Sequence, residues 1–471
     1  MASIKQTILL LLATTSALHT TRRPSEDPFY LPPPGYESTV PGTILTHRET
    51  PHPISTLNLL PIKLHKAYQI LYRTTDSFDN PTATVTTLLI PHSANLSTLL
   101  SFQVAQDSAS IDCAPSYAFQ FGAATTTPSN LLGTLISQNQ LLLITAALRN
   151  NWPVVVPDFQ GPQAAYLANK LAGRAVLDSL RAALASKSFT QLSPNASLTM
   201  WGYSGGSLAT ASAAEQHPIY APELHLLGAA LGGTVPNIRT ALSQINGTHA
   251  AGLIPSALWG LANEYPAVND TLTAHLVRGS KRRRGKFTKA RDQCCGANIF
   301  HFMYRDISRY LDPGDVYLTD GTLREVYAAN ALGRLGTVPT VPMFVYKSVT
   351  DEISPVEETD ELVRWYCVGG ARVEYRRVLE EGHGPLAVKG APSALLWLGG
   401  RMGAFAENST QPGGGEEERE GTGGDEYGGR CTQTTALTAL GDAKSGNLLG
   451  DVLQGKLKKL LEEPLGGWIG L

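Results

Sequence analysis

The stretch Leu198-Thr-Met-Trp-Gly-Tyr-Ser-Gly-Gly-Ser-Leu-Ala-Thr-Ala211 reads as a short apolar strand, a glycine-flanked serine and a run of small residues suited to a helix. Gly202, Ser204 and Gly206 satisfy G-x-S-x-G, the pattern of a strand-to-helix turn so tight that no Cβ fits two residues to either side of the serine. A hydroxyl on such a turn stands clear of the sheet. The helix behind it offers free N–H groups and a positive dipole end to a developing oxyanion. The bare pattern also arises by chance in glycine-rich turns, so its place between a strand pattern and a helix pattern carries the weight.

The same alternation extends outward in both directions. Lys66–Arg73 and Ala83–Ile90 alternate like strands around an Asp76–Pro81 turn. Leu99–Ala105 and Trp152–Val156 are apolar runs that stop at Gln106-Asp107-Ser108 and at Pro157-Asp158, and Ala172–Lys187 has helical spacing at Ala172, Val176, Leu177, Leu180 and Leu184. Leu224–Leu231, Pro342–Tyr346 and Arg372–Val378 continue the strands, with a helix at Val356–Tyr366. Strands apolar throughout, alternating with helices, predict an α/β fold with a mostly parallel central sheet covered by helices on both faces. From residue 234 to about 320 the alternation gives way to helical fragments without a strand, which predicts a large helical lid or cap above the sheet. The expected organisation is a leader at 1–20, a first core part with an N-terminal arm at 21–233, the lid at 234–320, a second core part at 321–405, and a low-complexity loop with a C-terminal tail at 406–471.

The 471 residues, 42% hydrophobic and 17% charged, supply ample core, and a formal charge of −2 argues against a general nucleic-acid binder. Residues 1–20 carry one lysine, the apolar run Ile8–Ala13 and then small residues, which is the form of a secretory signal peptide cut after Ala17. That run is too short to span a bilayer. Potential N-glycosylation acceptors at Asn95, Asn195, Asn246, Asn269 and Asn408 agree with export to the extracellular space. The five cysteines (Cys113, Cys294, Cys295, Cys367 and Cys431) permit two disulfides and a spare in an oxidising compartment, with the vicinal pair supplying one partner and the odd thiol. Nothing resembles C-x-x-C, so no zinc site is expected. Lys281-Arg-Arg-Arg-Gly-Lys286, with Lys289 and Arg291 beyond, lies within the expected lid. Its first reading is a solvated loop, with attraction to anionic lipid or proteolytic nicking as the alternatives.

A serine nucleophile needs a base and an acid, which in a sheet of this kind follow it in the order acid, then histidine. Of the histidines after Ser204, only His383 follows a late strand, in Glu381-Gly-His-Gly-Pro385, where flanking glycines leave the ring free to swing. Asp351 is the first carboxylate past the strand Pro342–Tyr346 and heads an Asp-x-x-Ser-Pro turn; Glu352 is the reserve. Its role would be to hold the imidazole tautomer and balance the imidazolium. The oxyanion would sit on the backbone N–H of Gly205 and on that of Asp107, whose side chain could add a hydrogen bond if protonated. No metal or organic cofactor is required.

The elbow GYSGG, the QDS after an early strand, VVVPDFQGP, TDEISP and EGHG together resemble the fungal secretory lipases of the Candida antarctica lipase A type, over roughly residues 30 to 405. The resemblance implies an α/β-hydrolase core with a large helical lid, hydrolysis of acylglycerols and other carboxylic esters, a Ser204–Asp351–His383 triad, and Asp107 with Gly205 at the oxyanion hole. It also implies disulfides joining Cys113 to Cys294 or Cys295, and Cys367 to Cys431. The expected partners are a lipid or small ester substrate and a transient lipid–water interface met by the lid. The KRRR run and the extra cysteine depart from the family pattern, and the likeness fades beyond Cys431. A secreted serine peptidase, an acyltransferase or a non-catalytic hydrolase-like binding protein are the rival readings.

Overall fold

The structure, a computed structural model, describes residues 21–56, 60–123, 128–403 and 429–438. The expected leader, Asn408, most of the Gly/Glu-rich stretch and the tail from residue 439 lie outside the described residues. Ten strands form one sheet: β1 (Ile44–Glu49), β2 (Lys66–Thr75), β3 (Pro81–Ile90), β4 (Thr98–Gln103), β5 (Val154–Pro157), β6 (Ser197–Tyr203), β7 (Leu226–Gly232), β8 (Met343–Ser348), β9 (Val373–Val378) and β10 (Cys431–Ala436). Their spatial order is β1-β2-β3-β5-β4-β6-β7-β8-β9-β10. The first three pairings are antiparallel, and every pairing from β5 onward is parallel.

Both faces of the parallel part are covered, which is why its strands are apolar throughout. Along β6, Leu198 and Met200 enter one core with helices α2 (Asn169–Ala185) and α3 (Gly205–Tyr220), while Trp201 and Tyr203 enter the opposite core. That second core is filled by α1 (Pro128–Arg149) and by helices 383–389 and 391–401. Side-chain alternation along one strand thus ties the elbow to both layers.

Between β7 and β8 the chain is helical: α4 (Ile238–Gln244), α5 (Leu253–Glu264), α6 (Pro266–Ala274), α7 (Lys281–Lys289), α8 (Cys295–Phe302) and α9 (Gly321–Ala329), with shorter turns between. No helix of the described residues is long and apolar enough to cross a membrane.

Two expectations need correction here. The KRRR run is helix α7 and not a solvated loop: Ser280 caps it by accepting from the Arg283 N–H at 3.3 Å, and Phe287 is fully buried between the rings of Trp259 (5.8 Å) and Tyr310 (6.1 Å). The buried ring and the Trp259 indole N–H, donating to the Phe287 carbonyl at 2.8 Å, anchor this charged helix. The core also continues past residue 405, because polar Cys431–Ala436 pairs in parallel with β9 as the edge strand. Among the sequons, Asn95 and Asn195 are exposed, whereas Asn246 is engaged in the fold, its amide nitrogen donating to Asp306 at 3.0 Å.

Candidate active site

The elbow has the geometry its sequence demands. Ser204 ends β6 with φ 53° and ψ −122°, a conformation that L residues rarely adopt, and α3 starts at the next residue. A Cβ on Gly202 would lie 2.3 Å from the carbonyl oxygen of Gly206, and one on Gly206 would lie 2.0 Å from that of Gln103. The turn is held from below by the Ser204 N–H donating to the Gly232 carbonyl at 2.9 Å. The N–H of Gly205, in the first turn of α3, has no intrahelical acceptor available to it.

His383 reaches both partners at once. Its Nε2 lies 2.8 Å from Ser204 Oγ and its Nδ1 lies 2.7 Å from Asp351 Oδ2. The other Asp351 oxygen accepts from the N–H groups of Ile353 (2.8 Å) and Ser354 (3.0 Å), which is what the Asp-x-x-Ser-Pro turn provides. Burial alone would raise the Asp351 pKa, but His383 and Lys347 outweigh it and hold the carboxyl well below the ordinary carboxylate range.

The histidine is not loose between its glycines. It opens the helix His383–Lys389 and is almost fully buried. Its N–H donates to Glu352 Oε2 at 2.9 Å, its carbonyl accepts from the Tyr203 hydroxyl, and the Tyr203 ring lies 5.4 Å from the imidazole. Glu352 therefore holds the main chain of the histidine and does not touch its ring. Thr350 Oγ1, donating to the Glu381 carbonyl at 2.9 Å, stitches the acid loop to the histidine loop.

Asp107 sits beside the serine with φ 47°, buried, and its Oδ1 has no hydrogen-bond partner. Burial pushes its carboxyl up to about 7, against the pull of nearby His383. A Cβ on Gly205 would lie 2.0 Å from that same Oδ1, so any larger residue after the serine would require the Asp107 side chain to move. The loop is fixed from α1 by Gln140, whose Oε1 accepts the Ala105 N–H at 2.9 Å, and from the helical insertion by Ser108 Oγ donating to the Gln293 carbonyl at 3.0 Å. The disulfide Cys113–Cys294 adds a covalent tie between the same two parts, and Cys367–Cys431 fastens α10 (Val356–Val368) to β10. Cys295 is the buried free thiol.

Ser204, His383 and Asp107 open into a cavity of about 70 Å³. Its walls are mostly apolar: Leu143 and Val388 belong to the helices under the sheet's second face, Ile353 to the acid loop, and Ala250, Leu253 and Ile299 to the insertion. An apolar lining broken by a few polar groups suits a hydrocarbon chain.

Four contributing residues escape a sequence reading. Lys347, wholly buried, donates to Asp351 Oδ2 at 2.8 Å and to the Thr234 carbonyl at 2.9 Å. Tyr203, Gln140 and the backbone-holding role of Glu352 are the others. Tyr203, adjacent to the serine, carried a signal, although a strand tyrosine is ordinarily core, and Glu352 was read as the reserve acid and not as a backbone partner.

Comparison with known proteins gives the family and the fold. The sequence profile of the secretory lipase family matches residues 125–409. Lipase A of Arthroderma benhamiae is 49% identical over 381 residues, covering 80% of each chain. Lipase 2 of Candida albicans is 38% identical over 387 residues, covering 80% of this chain and 81% of its own. The X-ray structure of Candida antarctica lipase A superimposes with a TM-score of 0.76 at 23% identity, covering 93% of this chain and 95% of that one, and a closed-state structure of the same lipase gives 0.74 at 22% identity. At that identity the superposition speaks to the fold, which is that of an α/β-hydrolase. With the profile spanning more than half of the sequence and these relatives matching four-fifths of it, the chain belongs to the secretory lipase family and is a hydrolase of carboxylic esters.

Proposed function

We propose that Ser204, His383 and Asp351 are the catalytic triad of a secreted lipase that cleaves acylglycerols and related esters through an acyl-enzyme on Ser204. The observation that carries this reading is the continuous Ser204–His383–Asp351 relay, with contacts of 2.8 and 2.7 Å, whose serine and histidine line a mostly apolar cavity. His383 Nε2 takes the Ser204 proton as Oγ bonds to the ester carbonyl carbon, and Asp351 balances the imidazolium. The oxyanion rests on the N–H groups of Gly205 and Asp107. Collapse expels the alcohol, which receives the proton from His383. A water then gives its proton to His383 and attacks the acyl carbon, and Ser204 leaves with that proton as the fatty acid departs.

The protonated Asp107 carboxyl adds no negative charge beside the oxyanion below about pH 7. The leader-like residues 1–20 and the two disulfides support export, since such bonds persist in oxidising compartments. Residues 234–320 supply the cavity roof and are proposed as the lid, meeting a lipid–water interface when they part.

A fluorophosphonate probe on the purified chain tests the nucleophile: wild type labels and Ser204→Ala does not. Tributyrin, triolein and chromogenic peptides test the bond. Equal labelling of the alanine variant, or peptide turnover without ester turnover, would sink the proposal.

A further inference from the structure

Eight of the fourteen residues from Arg278 to Arg291 are lysine or arginine and none is acidic, in a chain whose formal net charge is only −2. The structure gathers much of this charge on one exposed helix. Lys281, Arg282, Arg284 and Lys289 of α7 are exposed, and none enters an ion pair among the described residues. Asp292 stands at the edge of the patch, and Asp306 is engaged by Arg309 at 3.5 Å.

This helix is electrostatically unfavourable as it stands. Lys281, Arg282 and Arg283 occupy its first turn, where the helix dipole repels cations. Arg282 and Lys286 are like charges four residues apart, which costs further. Lys286 registers the crowding, since partial burial and then Arg305 and Arg282 lower its pKa. The buried Phe287 anchor holds the helix in place despite this. A negatively charged surface outside the molecule would relieve the strain.

The patch is joined to the site. Lys286 Nζ donates to the His301 carbonyl of α8 at 2.6 Å, and the opposite face of α8, through Cys295 and Ile299, walls the cavity that holds Ser204. Beside the basic helix, α8 and its following turn expose the rings of Phe300 (64%) and Tyr304 (59%). Cations bordered by exposed aromatic rings are the composition of a segment that lies in a lipid interface.

We propose that α7, with Phe300 and Tyr304, is a docking surface for lipid–water interfaces carrying anionic headgroups, so that the enzyme selects negatively charged lipid surfaces before it selects an acyl chain. The inference rests on the lipase reading for its purpose but not for its test. Full-length Ser204→Ala protein is sedimented with vesicles of phosphatidylcholine alone and of phosphatidylcholine mixed with phosphatidylglycerol, at low and high salt. Binding is expected to favour the mixed vesicles strongly and to weaken with salt. The triple variant Arg282→Gln/Arg284→Gln/Lys289→Gln should lose roughly a hundredfold in partitioning. In the Ser204 background it should turn over soluble p-nitrophenyl acetate as wild type does, which shows that it folds. Equal binding to both vesicle types, or a triple variant that binds like its parent, overturns the proposal. So does a double-stranded oligonucleotide held as tightly as the mixed vesicles at the same salt, which would make the patch a general polyanion site. Vesicle binding without ester turnover by wild type would count against the triad reading alone.

Discussion

Lys347 donates to Asp351 across 2.8 Å, on the same Oδ2 oxygen that His383 Nδ1 contacts at 2.7 Å. Burial pushes the ammonium's pKa down while the Asp351 carboxylate opposes that shift. As the proposed triad acid, Asp351 would divide its charge between a fixed cation and the imidazolium formed during catalysis. In Lys347→Met the whole carboxylate charge faces the imidazolium. The acid limb of the kcat/KM–pH profile should then move upward by about one unit. A merely structural role for Lys347 would scale the rate equally at every pH.

Asp107 titrates at about 7, beside the place where negative charge develops. As pH rises through that value the carboxylate forms and repels the oxyanion, so the wild-type kcat should decline on the alkaline side. Asp107→Asn stays neutral. It should lie within roughly tenfold of wild type at acidic pH and flatten the alkaline decline, as read from the two kcat–pH profiles.

The neighbouring carboxylates Asp351 and Glu352 do different work and should fail differently. Asp351→Asn can present the wrong hydrogen-bonding partner to His383 Nδ1 and should cost on the order of 10⁴ in kcat. Glu352→Gln keeps an oxygen for the His383 N–H and should remain within roughly tenfold of wild type, because a replaceable neutral hydrogen bond is worth about 1 kcal/mol. Steady-state kinetics on tributyrin separates the two.

Burial pushes Asp107, Asp158 and Glu215 each up to about 7. The unfolded chain gives up these protons near pH 4, whereas the folded chain keeps them to about 7. Between those limits the unfolded state binds fewer protons, so stability falls as pH rises and then levels off. Asp351, shifted the other way, loses its contribution only as pH drops below the ordinary carboxylate range. Thermal unfolding should therefore have a higher midpoint near pH 5 than near pH 8, and Asp158→Asn should narrow the gap.

Cys367–Cys431 spans 64 residues and fastens the edge strand β10. A loop of that length is worth about 4 kcal/mol in the chain-entropy account. Cys431→Ser should lower the thermal midpoint while leaving fluorophosphonate labelling of Ser204 at room temperature intact, because three strands separate β10 from β6 in the sheet.

The legible part of this site is the part that local backbone geometry dictates. Gly202 and Gly206 announce Ser204 because no side chain fits there, and Asp351 and His383 stand at successive strand ends because the parallel sheet puts every such loop on one side. Lys347 was hidden because a lysine at the end of a strand ordinarily reaches solvent, and only the fold shows that it is enclosed with a carboxylate. Cys431–Ala436 was hidden because an edge strand can be polar, and its only mark is pairing with distant β9. For α7, six cations concealed one buried phenylalanine. The choice of Cys294 over Cys295 depended on which side chain faces Cys113, a matter of α8's rotation that spacing does not encode.

The closeness of Gly205 to Asp107 has a consequence for how this sequence can change. With an acid at position 107, a Cβ at 205 would lie 2.0 Å from its carboxyl oxygen, so a residue larger than glycine there is accepted only if the carboxyl swings aside. The two positions are therefore coupled: growth at 205 is accommodated by moving or shortening the side chain at 107, and a library that varies them together should recover pairs that single changes at 205 do not. Variation of the oxyanion site in this chain should accordingly include Asp107.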